Sequence, residues 1–241
     1  MTMPLDVFQA GLGAMVRGEA PIGMAPPVPP DDPGLIFTRK VQRSWCEGRA
    51  ANAARLTLTL LPVTERRRLT SAYVDAGGGL ASFFAQEAET FLAFLEARLP
   101  DPSHALTLCQ MEQALNRARN AADGFNPGQL EDNALVRGGR AAALVWFRAE
   151  PKAVLDALNG GPVPPVGLPE HAMLFAPGLP DLFRPASAEE AALWDSLPRL
   201  AGAGPERAIL ATWLEQGVVD QIAPSRRSAA TPSSPRPSQS P

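Results

Sequence analysis

The stretch LCQMEQALNRARNA, residues 108–121, puts a carboxylate and a guanidinium where a helix should be apolar. At about 100° per residue, Leu108, Met111 and Leu115 form one stripe with Ala118 at its edge, and Glu112 and Arg119 fall inside that stripe. A carboxylate in apolar surroundings can serve as a general acid or base. The same two residues can instead form an ion pair that pins packed helices. No second activated group accompanies Glu112, so the sequence favours the structural ion pair Glu112–Arg119. Such a pair adds little net stability, yet removing one partner costs roughly 3–5 kcal/mol, which suits a register device.

A second cluster is RSWCEGR, residues 43–49. Tryptophan and arginine dominate interface hot spots, so Arg43, Trp45, Cys46 and Arg49 are candidates for contact with a partner. The alternative is that Trp45 and Cys46 are the buried start of a helix. A thiolate at a helix N-terminus would be reactive, but no histidine lies near Cys46 in sequence to activate it.

Other chemistries find little to work with. The 241 residues include two histidines, His104 and His171, and two cysteines, Cys46 and Cys109, without the spacing of a metal site or disulfide framework. No Gly-rich phosphate loop, G-x-S-x-G elbow or H-E-x-x-H occurs. The expectation is a chain with no metal, no cofactor and no activity of its own. A net charge of −3 gives no support for nucleic-acid binding, and ERRRL at 65–69 is the one tight basic run. The first residues carry Asp6 and Glu19 and no basic n-region, and no apolar run is long enough to span a bilayer, so the chain reads as cytoplasmic with no membrane partner.

The elements that would position these residues follow from periodicity. A helix is predicted over 5–17, then a Pro-rich arm to about residue 40. Residues 35–43 read as a loop or brief helix, 47–60 as a helix ended by Pro62, and 65–76 as a helix capped by Thr64 and closed by Gly77–Gly79. Residues 80–98 place Phe84, Ala88, Phe91, Leu92 and Leu95 on one stripe, and Ser103 caps the helix that carries Glu112. Residues 41–122 are therefore an antiparallel helical bundle. Beyond GFNPG the pattern changes: 141–149 and 171–176 are strand candidates, Pro151 opens a short helix, Ser187 and Glu190 form a capping box, and 205–217 is a last helix. Residues 125–222 read as a small α+β domain with a short sheet of two or three strands, giving an α+β chain overall. Residues 223–241, with five prolines, three arginines and no acid, are expected to be disordered.

Three segments, RSWCEGRAANAARLTLTLLP, FLAFLEARLPDPSHALTLCQMEQALNRA and MLFAPGLPDLFRPASAEEAALWDSLP, resemble the MbnC family of accessory proteins in methanobactin biosynthesis. The middle segment is more distantly similar to the helical domain of HvfC-like proteins, where MEQALNRA stands in place of a comparable helix after a Phe-rich one; that similarity carries the alternative of a DNA-binding regulator. The resemblance covers about residues 40–220 and rests on spaced short patterns. It implies a non-catalytic subunit that forms a heterodimer with an MbnB-like TIM-barrel enzyme holding the iron. The complex would bind an MbnA-like ribosomal precursor peptide and use dioxygen to turn its cysteines into the oxazolone and thioamide groups of a copper chelator. This subunit would help recognise the leader. A strand edge can capture an extended peptide by β-augmentation. Leu144, Val145, Trp146, Phe147 and Arg148 are the candidate leader-binding residues, with the 171–176 strand expected to be central; the other possibility is that both strands are buried and the leader lies on helices.

Overall fold

The computed structural model describes residues 4–20, 27–80 and 84–222; the tail expected to be disordered and part of the Pro-rich arm lie outside them. Helices come first: α1 (Leu5–Val16), α2 (Pro33–Ala53), α3 (Arg55–Thr59), α4 (Val63–Asp75), α5 (Phe84–Glu96) and α6 (His104–Ala122). Strands and short helices follow: β1 (Leu135–Gly138), β2 (Ala143–Phe147), α7 (Pro151–Leu158), β3 (His171–Phe175), β4 (Phe183–Pro185), α8 (Ala188–Asp195), β5 (Arg199–Leu200), α9 (Glu206–Glu215) and β6 (Val219–Ile222). The fold is α+β. Its strands make two antiparallel three-stranded sheets among the described residues, in the orders β5-β1-β6 and β2-β3-β4.

The long helix α2 differs from the expected loop and second helix. Asp32 accepts a hydrogen bond from the Leu35 N–H at 3.0 Å and Pro33 sits at the start, so the helix begins before residue 35 and runs through 43–47 unbroken. It stops at Ala54, whose backbone leaves the helical region, and the chain restarts as the five-residue α3. Thr64 is not the cap of α4; Pro62 precedes that helix and no side chain caps it. Ser103 does cap α6, accepting from the Leu106 N–H at 3.1 Å.

Helix α6 is buried on two sides. Ala105 and Cys109 join Ala50, Leu58, Leu69, Phe91, Leu92 and Leu95 in the helical core. Leu108, Met111 and Ala114 belong to a second core with Val145, Phe147, Met173 and Phe175. The period of two in β3 then divides its side chains, with Met173 and Phe175 toward α6 and Leu174 in a third core with Val136, Leu193, Leu210 and Trp213. The sheet β2-β3-β4 is thus a slab between α6 and the layer made by α8, α9 and the other sheet.

Glu190 ties that last layer together. Its carboxylate accepts from the Ser187 N–H at 3.0 Å, from the Arg184 guanidinium at 2.9 and 2.5 Å, and from the Trp213 indole at 3.1 Å. Ser187 returns the capping box by accepting from the Glu190 N–H at 3.1 Å. The Arg184 pairing, more than any other contact, holds the Glu190 carboxyl down at about 2. A depressed folded value stabilises the fold above the ordinary carboxylate range, and that contribution is lost as pH falls through about 2. Glu190→Gln is therefore expected to cost about 2 kcal/mol at neutral pH. In urea titrations the deficit relative to the parent chain should shrink steadily between pH 4.5 and 2; a deficit that stays constant over that range would contradict the charge-based account.

Candidate functional site

Glu112 answers the question its position raises, but not by pairing with Arg119. It is 8% exposed. Its Oε1 accepts from the Leu56 N–H at 2.8 Å, and its Oε2 accepts from the Thr57 N–H at 2.9 Å and the Thr57 hydroxyl at 2.6 Å. These N–H groups open α3, whose own preceding residue, Ala54, has no side chain that could accept them. A carboxylate from α6 thus caps α3 across the core, at the end where the helix dipole favours negative charge. At the other end the Arg66 guanidinium donates to the carbonyls of Leu61 and Thr59 at 3.0 and 3.1 Å. Arg119 is exposed and forms no ion pair with Glu112 among the described residues. The expected ion pair is therefore replaced by a tertiary helix cap, because three donors at a helix start satisfy the carboxylate where the sequence offers only a distant guanidinium.

Burial pushes the Glu112 carboxyl above its ordinary 4.5, and the three donors offset this only in part. Between the ordinary and the raised value the folded chain holds more protons than the unfolded one, so this group's contribution to stability is greatest below 4.5 and declines as pH rises through the raised value. Glu112→Ala is expected to lower stability by about 3 kcal/mol through the lost cap and the donors left buried. The deficit should widen as pH falls from 7 toward 4.5. Chemical denaturation of both proteins across that range checks it, and a variant as stable as the parent would remove the cap from the account.

The RSWCEGR cluster divides. Trp45 stands 69% exposed in the middle of α2, so the reading of a buried helix start fails for it. With Phe37 at 67% and Val41 at 41% it forms an apolar stripe at four-residue spacing along one side of α2. Arg43 is held by Asp75 at 2.6 Å and Glu47 at 3.1 Å, and Arg49 is partly buried. Cys46 faces inward. Its thiol donates to the Gly79 carbonyl at 3.2 Å, while the Gly79 N–H and the Tyr73 hydroxyl donate to Glu87 Oε1 at 2.8 and 2.6 Å. Gly79 has φ +85°, and a Cβ there would lie 2.4 Å from that of Cys46. Burial raises the Cys46 thiol and pushes Cys109 up to about 12, so both sulfurs are protonated packing groups. Two of the three arginines of the ERRRL run are committed: Arg66 to the end of α3, and Arg68 to Glu65 at 2.6 Å.

The five leader-binding candidates lie on β2 or just past it. β3 is central and β2 is an edge strand. Ala172, opposite Trp146, uses its carbonyl to accept from the Ala186 N–H at 2.9 Å, so it points toward β4. Trp146 must then turn its N–H and C=O away from β3, and Leu144, two residues earlier, does the same. Among the described residues, the N–H groups of Leu144 and Trp146 and the Leu144 carbonyl have no hydrogen-bond partner. The Trp146 carbonyl lies 3.4 Å from the Thr107 hydroxyl, whose one proton it shares with the Ser103 carbonyl at 3.3 Å. The edge closes at Arg148, whose carbonyl accepts from the Gly167 N–H at 2.8 Å and whose guanidinium pairs with Glu170. Val145 and Phe147 point instead into the core against α6, so they support the strand and do not face outward.

Along this open edge runs a groove of about 410 Å³ between β2 and α6. Its α6 wall extends from Ser103 to Arg117, which is about 21 Å of helix and matches roughly six extended residues. Gln110 and Gln113 on that wall donate to Glu96 at 3.3 and 2.9 Å. Gln110, Gln113 and Arg117 recur at helical spacing, a polar stripe on the far side of α6 from Leu108 that the sequence reading overlooked. Neither this groove nor a second one on the opposite face of the sheet is lined by Glu112. Among the described residues no group of three or more His, Cys, Asp or Glu could hold a metal, and no helix is long and apolar enough to cross a membrane. No family model matches the chain, and no curated protein matches it.

Proposed function

We propose that this chain is a non-catalytic accessory subunit that holds an extended precursor peptide on the free edge of β2 and delivers it to a partner enzyme. The observation that carries the proposal is the open edge at Leu144 and Trp146, beside a groove sized for about six extended residues. A peptide laid there gains main-chain hydrogen bonds, and its alternate side chains meet α6 on one face and the Trp146 side on the other. The resemblance to the MbnC family supplies the rest of the reading. The partner is an iron-dependent, MbnB-like oxidase, the peptide is an MbnA-like precursor, and the product carries oxazolone and thioamide groups that bind copper. The stripe Phe37, Val41 and Trp45 is the candidate surface for that enzyme, since exposed aromatics spaced along one helix are the material of interface hot spots.

The edge is tested by proline. Leu144→Pro removes an N–H that faces the groove, whereas Val145→Pro removes one that pairs with Met173 inside the sheet. In the complex with the co-expressed iron enzyme, Leu144→Pro should fold, retain the partner and bind the leader at least about tenfold more weakly; Val145→Pro should destabilise the chain. Leader peptides N-methylated at alternate residues make the same test on an unaltered protein. A folded Leu144→Pro variant with unchanged affinity, together with indifference to N-methylation, would put the leader elsewhere.

A further inference from the structure

The second groove, about 470 Å³, lies on the face of the β2-β3-β4 sheet that Trp146 and Ala172 share, between the sheet and α8. Its floor is apolar: Trp146, Ala172, Pro185, Ala186, Ala191 and Ala192. Its charged lining is mostly acidic. Glu150, Glu170 and Asp195 line it together with His171. Glu170 is paired with Arg148, and Glu150 lies 3.5 Å from the His171 ring with a 64% exposed side chain. Asp195 is exposed at the end of α8 and has no ion pair among the described residues. Counting Arg148, three carboxylates face one guanidinium around an apolar slot.

Trp146 lines both grooves. In an antiparallel sheet, residues directly opposite each other put their side chains on the same face, with Cβ atoms about 5 Å apart. A peptide residue paired with Trp146 across the open edge therefore sends its side chain alongside the indole, toward this second groove. We propose that the residue taking this position is basic: its aliphatic stem crosses the Trp146 ring, and its cationic head sits among Glu150, Glu170 and Asp195. The assignment rests on the reading that an extended peptide joins β2, and adds the chemistry that reading lacks. An indole face and surplus carboxylate favour a cation, while the alanine and proline floor accepts a methylene stem.

The test uses the full chain, ¹⁵N-labelled, with two capped eight-residue peptides of alternating threonine and valine. One carries a central arginine and the other a central glutamate. The Leu144 and Trp146 amides report strand addition; the Trp146 indole and the Ala191 and Ala192 amides report the second groove. The arginine peptide should shift both sets and bind about tenfold more tightly than the glutamate peptide. Glu150→Gln combined with Asp195→Asn, both on partly or fully exposed side chains, should erase most of that preference and its salt dependence while leaving the Leu144 shift in place. Equal binding of the two peptides with no response at Ala191 and Ala192 would overturn this inference and leave strand addition standing. Silence of the Leu144 and Trp146 amides toward both peptides would overturn strand addition, and this inference with it.

Discussion

The constraint on which the rest depends is the double burial of α6. A helix packed on one side can keep its polar residues in water, but α6 has the helical core on one side and the strand core on another. A carboxylate on such a helix must find donors inside the protein or be excluded. Glu112 finds them at the start of α3, and the break at Ala54 that creates α3 is what makes those N–H groups available. With Arg66 at the other end, a five-residue helix too short to persist alone is held at both termini by charges of the favourable sign. The turn from α2 into α4 is fixed by this arrangement, and so is the wall of the candidate peptide groove on the same α6.

The two grooves share a sheet only three strands wide. Its central strand is satisfied on both sides, and its β2 edge is left open beside a helix whose facing residues include Thr107, Gln110, Gln113 and Arg117. Open edges are usually blunted by charge, proline or cover. Here cover comes from Gly167 at the Arg148 end and, in part, from the Thr107 hydroxyl on the Trp146 carbonyl, leaving a short open edge over Leu144 and Trp146.

What the sequence disclosed and what it hid follow one physical division. Signals that are local came through: the Ser187–Glu190 box, the Ser103 cap, Pro151 at a helix start, the glycines after Asp75, and the buried stripe of α5. The α+β class followed from them. The start of α2 was also written locally, in Asp32-Pro33, but was masked by the proline-rich arm before it. Strands of two to four residues, such as β5, β4 and β1, are too short for period two to register and form because partners wait elsewhere in the chain. The partner of Glu112 was hidden for the same reason. Its donors lie about fifty-five residues away, and two of the three are backbone N–H groups that leave no mark on residue type; only the Thr57 hydroxyl depends on its side chain. In the candidate site, the strand and its aromatic residue were legible; the openness of its edge was not, since that depends on which neighbours pair with β3.

The sheet β5-β1-β6 carries a consequence for how the molecule is made. β1 is its centre, yet β1's long partner is β6, the last described strand, with β2, β3 and β4 of the other sheet lying between them in the chain. The β2-β3-β4 sheet has all its strands once residue 185 has been synthesised, whereas β1 must wait, unpaired along that side, until residue 222. Closing so long a loop is entropically costly and delays non-local pairing. On a growing chain, then, the strand edge assigned to the peptide is assembled early against α6. The segment Val219–Ile222 closes that side of β1, and a nascent chain stopped short of it leaves the polar edge of β1 without its partner, a liability for self-association until β6 is added.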